Sequence, residues 1–123
     1  MLELLQKYPE AGKVVKDHFL FKMLNALNDD NLPDDFKEHV RAMGIDDDKV
    51  ASMIGNAPRS LFDVFDDNQI FINITFDNTR NIFTWSVNEE ANSQNYIFRK
   101  AAEQDAVAEA FKLLNEKLCQ TQL

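Results

Sequence analysis

Six aspartates are the residues of this chain best placed by type and spacing to do chemistry. Asp46, Asp47 and Asp48 form one run, and Asp63, Asp66 and Asp67 a second. Carboxylates so placed have three uses: holding a hard cation, acid–base work, or offering a negative surface to a basic partner. A calcium loop needs oxygen ligands at alternate positions, a glycine at the sixth and a glutamate at the twelfth. Counted from Asp46, Val50 stands fifth and Ala51 sixth; counted from Asp63, Phe65 stands third and Asn68 sixth. Neither run meets the requirement, and each has a plainer reading as a cap or turn cluster.

The other reactive residue types are too sparse to build a centre. His18 and His39 are not at the spacing by which one helix face holds zinc, and Cys119 is the single cysteine. Ser60 lies between Arg59 and Leu61, without the glycines of a nucleophile elbow. The three glycines are far apart, so no loop can cradle a phosphate. Pro33-Asp34 followed by Lys37 loosely matches a nuclease signature, but at a helix start rather than on a strand. The expectation is a non-enzyme with no cofactor and no metal.

What remains is charge. Between Asp29 and Asp77 there are 12 acidic and 4 basic residues, and 11 of the acids are aspartate. Outside that window 9 acids meet 9 bases, so the net charge of −8 belongs to the middle of the chain. Such asymmetry points to a basic partner or to a solubilising face. With 123 residues, 45% apolar and ten of them Phe, the chain reads as one domain, 1–123, with a real core. A single cysteine excludes an internal disulfide and fits a reducing compartment. The opening Met1-Leu2-Glu3-Leu4-Leu5 has no basic stretch before an apolar one. No leader or membrane span is expected, and a cytoplasmic location follows.

The hydrophobic period changes near residue 68, dividing a helical part, about 1–68, from a sheet and final helix, about 69–123. Pro9 suits the first turn of a helix in which Val15, Phe19, Met23 and Leu27 recur every four residues, with Leu20 and Leu24 beside them. Val14, His18 and Phe21 make a second face, which implies a central position or an oligomer contact. A second helix runs from about Pro33 to Met43 and ends at Gly44. A third starts at an Asp46 cap, with Ile45 and Val50 at staple spacing, and ends at Gly55. Ser60 would cap a short fourth helix carrying Leu61, Val64 and Phe65.

Ile70, Ile72, Ile74 and Phe76 alternate, as do Phe83, Trp85 and Val87. This predicts a hairpin in which Ile74 faces Phe83, Ile72 faces Trp85 and Ile70 faces Val87. A third strand is expected over Tyr96 to Lys100. Phe71 and Ile82 interrupt the polar face, either as a partner patch or beneath a flank of the first long helix. A last helix from about Glu103 to Leu118 carries Val107, Ala110, Phe111, Leu114 and Leu118, and should lie on the sheet with Trp85 buried against it. The fold class is therefore α+β: three or four helices, a three-stranded antiparallel meander, then a C-terminal helix on the sheet.

Val50, Ala51, Ile54, Gly55, Leu61 and Val64 have the spacing by which residues 47–66 resemble the helix-turn-helix of small DNA-binding repressors. The resemblance covers about 20 residues and implies a transcriptional regulator. Asn56 and Pro58 depart from its pattern. Its second helix offers Arg59 against Asp63, Asp66 and Asp67, whereas DNA affinity comes mainly from Lys and Arg. The preferred expectation is a protein-binding module, of inhibitor or immunity type, that presents Asp46, Asp47, Asp48, Asp63, Asp66 and Asp67 to a basic protein and binds no nucleic acid. The alternatives are the regulator and a self-associating domain without a ligand.

Overall fold

The computed structural model describes residues 1–26, 31–43, 46–55 and 57–121. Leu27, Gly44, Ile45 and Asn56 lie outside them. The described elements are α1 (Leu2–Lys7), α2 (Pro9–Ala26), α3 (Asp34–Met43), α4 (Asp47–Ile54), a 3₁₀ turn (Pro58–Leu61), α5 (Phe62–Asp67), β1 (Ile72–Asp77), β2 (Ile82–Val87), β3 (Glu90–Ala91) and α6 (Arg99–Thr121). The fold is α+β, with a three-stranded antiparallel sheet in the order β1-β2-β3 and the C-terminal helix packed on it.

Tyr8 separates α1 from α2, at φ −120° and ψ 76°. The cause is Pro9, whose ring pushes the preceding residue out of the helical region while suiting the first position of the next helix. α1 folds back onto α2 so closely that a Cβ at Gly12 would stand 2.6 Å from the Leu5 carbonyl oxygen. The inner stripe of α2 is Ala11, Val15 and Phe19, all buried, while Phe21 is 65% exposed.

α6 is the centre of the molecule. It contacts α2, the 3₁₀ turn and both long strands. Val107, Ala110, Phe111 and Leu114 have no exposed surface, and Phe65 stands edge-on to Phe111 with ring centroids 5.4 Å apart. Asn115 Oδ1 accepts from the backbone N–H groups of Glu10 and Ala11 at 3.0 and 3.2 Å. A side chain more than a hundred residues away thus satisfies donors that every helix start leaves free. Lys117 Nζ donates to the Asn68 carbonyl at 2.8 Å, tying α6 to the end of α5.

The hairpin keeps the expected face but not the expected register. Ile72 pairs with Val87, Ile74 with Trp85 and Phe76 with Phe83, a slip of two residues. An even slip leaves every large apolar residue on one side, so the hydrophobic pattern alone permits either pairing. The turn decides between them. Asp77 Oδ1 accepts from the N–H groups of Thr79 and Arg80, and Asn81 takes a left-handed φ of 55°. Both residue types suit those duties.

The strand expected over Tyr96 to Lys100 is not formed. β3 is Glu90–Ala91, reached through a two-residue turn in which Asn88 and Glu89 both have positive φ. Tyr96 makes one antiparallel bridge to Phe83, and Arg99 already begins α6. Trp85 is half-buried rather than buried. Its Nε1 donates to Tyr96 Oη at 3.2 Å, and this polar end keeps it at the margin of the core.

Candidate functional site

The six aspartates occupy two helices that both pack against α2. Asp46 is the N-cap of α4; its extended backbone lets Oδ1 accept from the Lys49 N–H at 2.8 Å. The cap expected there is present. Asp47 turns toward α2 and lies 2.9 Å from Lys16 Nζ, partly buried. Asp48 is exposed. Ser60 does not cap α5; its hydroxyl donates back to the Ala57 carbonyl at 2.7 Å. The 3₁₀ turn runs straight into α5, leaving no free N–H for that hydroxyl to take.

Asp63 lies in the first turn of α5, and Asp66 and Asp67 close it; all three are exposed. A carboxylate at Asp63 suits the positive end of a helix. Asp66 and Asp67 sit at the negative end, with no base in that last turn. Cap chemistry therefore accounts for Asp46 and dipole chemistry for Asp63, but neither accounts for Asp66 or Asp67.

α2 runs between the two groups. Lys16 reaches Asp47, whereas His18 feels the fields of Asp67 and Asp63. Lys16 neutralises one member of the 46–48 run. Among the described residues, Asp46, Asp48, Asp63, Asp66 and Asp67 make no ion pair.

His18 presents its ring edge-on to Phe19, with centroids 5.6 Å apart, and its Nε2 is shielded from solvent without a hydrogen-bond partner. Burial first and the Lys22 ammonium second hold its pKa below the ordinary imidazole value, against the opposing pull of Asp67 and Asp63. The unfolded chain therefore takes up a proton before the folded one does. Stability contributed by neutral His18 is complete above about pH 6.5 and falls as pH drops from there toward the lowered folded value. The natural chain should lose stability relative to His18→Gln over that interval, measured by urea unfolding at stepped pH. A difference that stays flat with pH would remove the effect.

The helix-turn-helix spacing corresponds to α4 followed by a 3₁₀ turn and the six-residue α5, so its second helix is interrupted where Pro58 enters. Along this stretch Arg59, Asp63, Asp66 and Asp67 are exposed.

Two further surface features lie away from the aspartates. Trp85, Val87, Glu90, Ala91, Asn92, Ser93 and Glu109 line a cleft of about 300 Å³ between the sheet edge and α6. Tyr96 closes one side of Trp85, and burial together with the hydrogen bond it donates to Asp105 at 2.6 Å raises its phenol pKa. Phe71 is 51% exposed beside Gln69, Asn88 and Glu89, three of the four described non-glycine residues with positive φ. α2 does not cover Phe71, and an open aromatic surface results.

No group of three or more His, Cys, Asp or Glu side chains is placed to hold a metal among the described residues. No described helix is long and apolar enough to cross a membrane. Comparison with protein-family models, with curated proteins and with solved structures finds no match to this chain.

Proposed function

We propose that this chain is a small cytoplasmic protein-binding module that offers Asp46, Asp47, Asp48, Asp63, Asp66 and Asp67 to a basic protein partner, as inhibitors and immunity proteins do. The observation that carries the reading is the pair Asp66 and Asp67, exposed at the helix end where carboxylates are disfavoured. Charges placed against local stability are expected where function requires them. The two acidic runs belong to segments that both pack against α2, and the partner would dock there. Asp47 contributes less than the others because Lys16 already holds it. Opposite fields of this kind act chiefly on the rate of encounter.

A chain with Asp46, Asp48, Asp63, Asp66 and Asp67 all replaced by Asn tests this. Asn caps a helix about as well as Asp, so α4 keeps its start. A basic protein captured from lysate of the source cell by the natural chain should associate with the variant about tenfold more slowly, or slower still, at low salt. Raising the salt should bring the two rates together. Equal rates at low salt would end the proposal.

A second reading, self-association through apolar surface, is favoured by Ile97 and Phe98, which are 75% and 72% exposed. Sedimentation of the natural chain over a wide concentration range separates the two, since a monomer throughout leaves no place for self-assembly. The regulator reading draws no support from charge, since the exposed ionisable residues from Pro58 to Asp67 are one arginine and three aspartates.

A further inference from the structure

Glu103 is the one buried charged residue among those described, and it sits in the first turns of α6. Two arginines meet on its Oε1. Arg59, from the 3₁₀ turn, donates through Nη2 at 2.8 Å and Nε at 3.2 Å; Arg99 donates through Nε at 3.2 Å. A buried carboxylate needs a partner charge, and Arg59 alone supplies it with two hydrogen bonds. Arg99 is then surplus, and the cluster carries a net positive charge on a chain whose total is −8.

Local stability does not explain the surplus. Arg99 and Lys100 open a 23-residue helix at its positive end, whose first turn holds no acid. Arg99 also stands four residues before Glu103, the weaker of the two orders for such a pair. Both guanidinium side chains are more than half exposed, at 59% and 55%, while the carboxylate that fixes them is 7% exposed. Each guanidinium has five N–H donors, so most remain free and face water from an anchored base. Neighbouring guanidiniums repel each other, and an anion bound between their outer edges relieves the repulsion.

We propose that Arg59 and Arg99, anchored by Glu103, form a binding site for a phosphate group, with the two planar forks each engaging its oxygens. A dianion with three terminal oxygens matches two forks better than a carboxylate does. Arg59 stands four residues before Asp63, but the site uses none of the aspartates and does not depend on the basic-partner reading.

The test is a titration of the full chain with inorganic phosphate at constant ionic strength and slightly alkaline pH, following the Nε–H signals of its arginines by NMR. Arg59 and Arg99 should shift with one shared saturation curve. Arg80, exposed in the hairpin turn, should move weakly and without saturating. Acetate should bind about tenfold more weakly than phosphate. Arg99→Gln keeps the Arg59–Glu103 pair and should weaken phosphate about tenfold with little change in melting temperature. Arg59→Gln is the matching variant if Arg99→Gln does not fold. Shifts that never saturate, equal response at Arg80, acetate as strong as phosphate, or unchanged binding in the folded variant would each overturn the site.

Discussion

Phe111→Ala should lower the free energy of unfolding by about 3–5 kcal/mol, the usual cost of removing a buried aromatic ring from a packed core. Phe111 has no exposed surface, and its ring meets Phe65 at 77°. It lies on α6, which touches the helical part on one side and both long strands on the other. A cavity there weakens both halves together. Domains of this size hold about 5–15 kcal/mol in total, so the loss is a large share of what keeps the chain folded. Circular dichroism reports the helices and the single tryptophan, Trp85, reports the sheet. The two should melt in one coincident transition, in the natural chain and in the variant, at a much lower temperature in the latter. Separated transitions would show that α6 does not couple the halves. A double-mutant cycle with Phe65→Ala should return about 0.5–1.5 kcal/mol of coupling for the edge-on pair.

Gly12→Ala should also destabilise, although the same change inside most helices stabilises. Alanine gains about 1 kcal/mol over glycine in a helix interior. Here the new Cβ would stand 2.6 Å from the Leu5 oxygen and 3.3 Å from its carbonyl carbon and Cα. These are backbone atoms, and no rotamer change moves them away. Overpacking costs about 1–3 kcal/mol, so the steric term outweighs propensity unless α1 swings off. That escape would expose Leu5, whose burial is worth roughly 1.5–3 kcal/mol, together with the partly buried Met1 and Leu4 packed on the core. The expected result is a net loss of about 1–2 kcal/mol, with amide exchange rising across residues 2–7. A variant that melts higher than the natural chain would show that the close approach does not constrain α2.

Those two sites differ in how much of them the sequence discloses. The α6 stripe of Val107, Ala110, Phe111 and Leu114 is legible from spacing alone, because a helix repeats its inner face every three or four residues. Gly12 reads as an ordinary helical residue, since the constraint on it comes from Leu5 on another helix. The hairpin divides the same way. Alternation places Ile72, Ile74, Trp85 and Val87 on one face, but a two-residue slip preserves that face, and the Asp77 turn chooses the register. Tyr96 and Phe98 alternate like strand residues, yet the backbone makes one bridge at Tyr96 and becomes helix at Arg99.

The candidate surfaces divide likewise. That Asp46 would cap a helix follows from its neighbours, because a cap is a contact over three residues. That Asp47 is neutralised by Lys16, or that Asp66 and Asp67 end a helix instead of forming a plain turn, does not. Arg59 and Glu103 are 44 positions apart and share nothing in pattern. The chain by itself determined the fold class, the inner faces of α6 and of the hairpin, and the location of its net charge, since these rest on periods and counts within one segment. The tertiary structure alone decided the strand register, the capping of α2 by Asn115, the close seat of α1 on Gly12, and the meeting of two arginines on one buried carboxylate. Each of these is a contact between segments, and it exists only once packing brings them together.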